Sequence, residues 1–170
     1  MAPLHIGLLV VFPVLMAYAA ASDLLTMTIP NRLSLALVAG FLGLAVMGGL
    51  APQAILMHVL AGGLVLAATF AMFACGWIGG GDAKLAAATA LWLGFGALPD
   101  YLFIASLGGG VLTLAILALR FFPLPGFALG WAWLSRMHDR RTGVPYGIAL
   151  AAAALVVYPQ SEIWATTLAN

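Results

Sequence analysis

Trp77-Ile78-Gly79-Gly80-Gly81-Asp82-Ala83-Lys84 sets a carboxylate and an ammonium between two long apolar runs, directly after three residues that have no side chains. A charge in such surroundings is costly, which marks the stretch for use rather than for packing. The runs on either side, Ala54 to Cys75 and Ala83 to Leu98, read as membrane helices. The polar break between them is a loop at a membrane surface.

Working outward, a second carboxylate, Asp23, stands after the first apolar run, Leu4 to Ala21, and ahead of Ile29-Pro30-Asn31. Pro30 disfavours helix at Ile29, so this too is a short surface connection. The second span is Arg32 to Leu50, and Gly48-Gly49-Leu50-Ala51-Pro52 turns the chain into the third. Pro99-Asp100 reads as a tight turn leading to a fifth span, Tyr101 to Leu119. Arg120 to Gly143 is broken by Pro123 and Pro125. Its part from Phe121 to Leu134 reads as an interfacial or re-entrant segment, a gate or an anchor, held by Trp131 and Trp133. Val144-Pro145-Tyr146-Gly147 opens a sixth span to Tyr158, and a short tail carries Glu162 and Trp164. The expected fold is all-α: a polytopic membrane helix bundle of about six transmembrane helices plus that segment, forming a single domain over residues 1–170.

Composition agrees with this. Of the 170 residues 65% are hydrophobic and 6% charged, and the mean hydropathy is +1.15, far from the roughly 25% charged of a soluble domain. A net charge of +1 provides no basic field to recruit nucleic acid. Placement of the charges is more telling than their sum. With six spans, Arg32, Lys84, Arg120, Arg136, Arg140 and Arg141 all fall on the side of Asp23 and Asp82, while Asp100 and Glu162 fall on the other. The positive-inside rule then puts both termini outside and both aspartates at the cytoplasmic face of the membrane. Ala19-Ala20-Ala21-Ser22 imitates a signal-cleavage site, but no Lys or Arg precedes the apolar run as a signal peptide requires.

The lone cysteine, Cys75, lies in an apolar run and is expected to be a buried thiol. His5, His58 and His138 lack metal-ligand spacing, and His58 is expected to be a hydrogen-bonded packing residue. Neither a metal nor a cofactor is called for.

Two aspartates at one membrane edge suit acid–base hydrolysis of a peptide bond. One carboxylate takes a proton from water while the other, protonated, polarises the carbonyl and later protonates the leaving amine. A close pair supplies that asymmetry, because the second ionisation must work against the first, and the proton belongs to the pair. Gly79, Gly80 and Gly81 would allow an irregular turn and a close approach of substrate to the backbone. Lys84 would reach for headgroups or bias Asp82 toward ionisation. The plainer alternatives are a helix cap for Asp82 and a solvated helix end for Asp23.

Asp23 with Ile29-Pro30-Asn31, the G-x-G-D motif at Gly79 to Asp82 with Lys84, and Pro145-Tyr146-Gly147 before the last span together resemble the prepilin peptidase family of membrane aspartic peptidases. The size resembles its short members, associated with Flp or Tad type IVb pili. The resemblance implies cleavage of the basic leader of a type IV prepilin or pseudopilin, on the cytoplasmic side of the substrate's hydrophobic segment, in a bacterial inner membrane. It makes Asp23 and Asp82 the catalytic pair and gives Pro30, Asn31, Pro145, Tyr146 and Gly147 a place near the substrate. Residues 24–28 lack the basic residues that members often carry there. Larger members have a four-cysteine zinc domain and also methylate the new pilin N-terminus. Nothing in this sequence corresponds to that domain, so peptidase without methyltransferase activity is expected.

Three other readings compete. Lys84 with Ser22 or Ser106 would make a Ser-Lys peptidase. Asp23 and Asp82 would bind a cation or relay protons in a small transporter, although such sites usually lie near the midplane. Or the chain would be a non-catalytic subunit of a pilus or secretion assembly.

Overall fold

A computed structural model describes residues 3–126 and 130–169. Among these residues there are helices and turns but no strand. The order is α1 (Pro3–Thr26), α2 (Asn31–Met47), α3 (Pro52–Ala74), α4 (Gly80–Leu119), α5 (Ala132–His138), α6 (Gly147–Val157) and α7 (Glu162–Ala169), with a 3-10 turn at Tyr158–Gln160 between the last two.

Local chemistry sets the ends. Extended Pro30 precedes α2, and Pro52 occupies the opening turn of α3, where a missing N–H costs nothing. α2 and α3 end alike. Gly49 and Gly76 take left-handed φ values of 67° and 73°, and the following amides, Leu50 and Trp77, bond back to Ala45 and Met72 at 2.9 Å. This closes orphan carbonyls that would otherwise face lipid or core.

α3 and α4 are long and apolar enough to cross a membrane. Much of their apolar surface faces outward: Phe70, Phe103, Leu107 and Leu114 are each about 60–70% exposed. Water would penalise such a surface and lipid does not. The chain is an all-α membrane helix bundle.

α4 corrects the expected turn at Pro99-Asp100. Both residues are helical, and the break falls earlier, at Gly94, whose φ of 64° and ψ of 179° divide the element into limbs 80–93 and 95–119. The chain folds back there, since Tyr101 lies beside Thr89. A straight helix would hold those residues about 18 Å apart along its axis. Glycine adopts a positive φ without strain, whereas proline is locked near −65°. A Cβ on Gly94 would also stand 2.8 Å from His58.

The last span differs as well. α6 is 11 residues long, about 16 Å, well short of the roughly 30 Å of a bilayer core. It is buried on most sides between α1 and α4. The expected tail is helix α7, whose Ile163 is buried. The middle of the segment read as interfacial or re-entrant, residues 127–129, and the side chain of His5 lie outside the described residues.

Phe12, Phe41, Trp92 and Tyr158 fill the centre, with Phe12 ring centroids 4.9 Å from Trp92 and 4.4 Å from Tyr158. Trp92 also donates its indole N–H to the Leu37 carbonyl at 2.8 Å, tying α4 to α2. His58 is buried, as expected of a packing residue, and its Nδ1 lies 2.8 Å from the Leu91 carbonyl. Cys75 is exposed, contrary to expectation. The buried residues of α3 end at Val65, so the last turns of that helix stand clear of the core and carry Cys75 outward.

Candidate active site

Asp23 lies in the last turn of α1, and its helix continues past the expected span end at Ala21 to Thr26. Its side chain is 5% exposed. A carboxylate that buried requires a donor. The donor is the amide of Gly147, the first residue of α6, which bonds Oδ2 at 2.7 Å. An amide at a helix N-terminus is free of intrahelical partners and carries the positive end of the helix dipole, so it suits a carboxylate. No side chain fits at residue 147: a Cβ would stand 2.8 Å from both Asp23 Oδ2 and Ile29 Cδ1.

Asp82 lies in the opening turn of α4. It does not cap that helix; Gly79 does, in an extended conformation, and the Asp82 carboxylate turns back to the Gly79 amide. Asp23 and Asp82, with residues 27–29 and 79–81, line one cavity of about 270 Å³, and their carboxylates are near enough to repel each other.

None of Gly79, Gly80 and Gly81 has a positive φ. They permit close approach of neighbouring side chains: a Cβ at each would stand 3.1 Å from Asp82 Oδ2, 3.2 Å from the Phe73 ring and 3.2 Å from Ile29 Cβ, respectively. The left-handed residue of the site is Met27, at φ 55°. Its amide closes α1 on the Asp23 carbonyl at 2.8 Å, and hydrogen bonds from Ser22 and Thr26 to the Thr28 carbonyl hold the turn.

Lys84 Nζ donates to Asn31 Oδ1 at 2.9 Å, linking the first turns of α4 and α2. Ser22 donates to Thr28, so Lys84 and Ser22 do not pair, and Ser106 is exposed on the far limb of α4. The Ser-Lys arrangement is therefore not formed. Pro30 starts α2. Pro145 is buried, and the Tyr146 ring lies so close over Gly109 that a Cβ there would collide with it. Of Pro145-Tyr146-Gly147, only Gly147 reaches an aspartate.

The basic cluster gathers at this same end. Arg136 donates to the Leu25 carbonyl, two residues beyond Asp23. Arg120 donates to the carbonyls of Met137, Thr142 and Gly143 at 2.8, 3.1 and 3.1 Å, pinning the strand of chain that leads to Gly147. The sequence did not signal the Gly147 amide as the partner of Asp23, nor Arg136 as that of Leu25, because both are backbone contacts across more than a hundred residues.

The model of the type IV leader peptidase family matches residues 10–114, which contain both aspartates. The chain belongs to the type IV leader peptidase family. Two curated relatives, from Aeromonas salmonicida strain A449 and from Aeromonas salmonicida, both named prepilin leader peptidase/N-methyltransferase, are 31% identical to it over 139 residues. That match covers 79% of this chain, and the chain spans 42% of the length of those relatives. No solved structure matches. Within this peptidase family chain, Gly147 lies beyond the matched residues, yet it completes the surroundings of an aspartate inside them.

Proposed function

We propose that this chain is a membrane-embedded aspartic endopeptidase that removes the leader of type IV prepilins or pseudopilins, with Asp23 and Asp82 as its catalytic pair. The observation that carries the reading is the shared cavity: two carboxyl-bearing residues from separate helices line one small space. Family membership supports leader processing as the reaction.

The chemistry follows from the pair. A water held between the carboxyls loses a proton to the ionised one, and its oxygen attacks the scissile carbonyl. The protonated partner donates to the carbonyl oxygen, and the collapsing intermediate passes a proton to the leaving amine. One proton shared between the two suffices, so neither aspartate has a fixed role. Asp23 Oδ2 accepts the Gly147 amide, a bond that fixes the orientation of this carboxyl group. The proposal places the reaction at the cytoplasmic face of a bacterial inner membrane. It is supported by the basic residues Lys84, Arg120 and Arg136 gathered at the aspartate end. Hydrolysis without methyl transfer is proposed for this chain.

Co-expression with an epitope-tagged prepilin tests the assignment. Asp23→Asn and Asp82→Asn each keep size and hydrogen bonding but remove the titratable proton, and each is expected to stop leader removal while the protein still accumulates in the membrane. Undiminished cleavage by either variant would rule out the pair.

A further inference from the structure

A long apolar groove runs beside the aspartate cavity. It encloses about 720 Å³ between α2 and α3 over the first limb of α4. Its walls are exposed apolar side chains such as Leu35, Leu42, Val59 and Leu66, and its floor is Gly62, Gly63, Ala87 and Ala88. Polar groups occur at one end only, where Asn31, Ser34 and Lys84 line it. That end adjoins the catalytic cavity. Asn31 follows Ile29-Pro30 directly, and Ile29 packs on Gly81, one residue from Asp82.

We infer that this groove docks the hydrophobic helix of the precursor whose leader is removed, an inference that rests on the peptidase reading. A precursor cut at the aspartates, on the cytoplasmic side of its apolar segment, must carry that segment away from the cavity along the bundle. The groove starts where the segment would enter. From Asn31 to Leu42 it follows α2 for about 16 Å. A helix about 10 Å across, half sunk over that length, displaces roughly 600 Å³, comparable to the 720 Å³ of the groove. A floor of small residues lets two helix backbones approach closely, which is how helices bind one another where lipid provides no hydrophobic drive. Gly63 is the position on which the fit turns. Nothing lies within 4 Å of a Cβ there, whereas a Cβ on Gly62 would press on Leu91 at 3.1 Å. A large side chain at 63 thus fills the groove without disturbing the bundle.

The test is cleavage of the full precursor in proteoliposomes by wild type, Gly63→Leu and Gly110→Leu. Gly110 also has open space around it, on the distant limb of α4. Gly63→Leu is expected to raise KM at least tenfold with kcat changed less than twofold, and Gly110→Leu to match wild type. Wild type that fails to cleave refutes the peptidase reading itself; wild type that cleaves with Gly63→Leu unchanged refutes the groove alone. Should Gly63→Leu not accumulate, a photo-crosslinker at Leu66 in Asp82→Asn protein decides. Labelling of the precursor's apolar segment supports the groove, and labelling of lipid only overturns it.

Discussion

The amide of Gly147 bonds Asp23 Oδ2 at 2.7 Å, so that the first residue of α6 holds a carboxylate on the last turn of α1. The bond joins residues from nearly opposite ends of the chain and leaves no space for a side chain at 147.

Gly147→Ala should therefore displace Asp23. Its Cβ would lie 2.8 Å from both Asp23 Oδ2 and Ile29 Cδ1, so the carboxylate must shift toward the cavity that it lines. A displacement of about 1 Å at a catalytic group costs on the order of a hundredfold in rate. Leader cleavage by this variant is expected to fall by about that factor in kcat, measured on purified protein with precursor in detergent. A fall confined to KM would instead assign Gly147 to substrate binding.

Groups that act as one unit lose activity non-additively. The double variant Asp23→Asn with Asp82→Asn should therefore be no slower than the slower single variant. Single-turnover cleavage assays would show this. Losses that multiply would mean the two carboxylates act in separate steps.

Gly94→Ala should destabilise the fold. A left-handed φ costs a residue with a Cβ about 1–2 kcal/mol, and the added atom would meet His58 at 2.8 Å. Thermal unfolding in detergent is expected to shift down by about 2–8 °C. Gly96→Ala, where a Cβ meets nothing within 4 Å, should leave Tm unchanged or slightly raised, since alanine favours helix over glycine. Equal shifts for both would show that Gly94 is not the residue that turns the chain.

Much of the architecture was legible in the residues alone. Apolar length, Pro and Gly punctuation and the positions of the few charges are properties of the chain read in one dimension, and they sufficed for an all-α membrane bundle with polar loops around Asp23 and Asp82. Where a local rule had two outlets, the reading went astray. Pro99 and Gly94 both interrupt a helical pattern, and the fold-back falls at Gly94, because a φ of 64° with a ψ of 179° is a conformation that glycine adopts and proline cannot, and because His58 needs the space there. Cys75 looked buried from its apolar neighbours, but whether an apolar helix end faces the core or lipid depends on what packs beside it.

Sequence by itself thus determined the class of fold and drew attention to two aspartates, since the cost of a charge in an apolar run is felt residue by residue. Only the tertiary structure decided that the two line one cavity, that Gly147 supplies the amide for Asp23, and that Lys84 reaches Asn31. Each of these is a contact between positions far apart in the chain, set by how helices of similar composition pack, and no local pattern of residue types records which of many equivalent faces will meet.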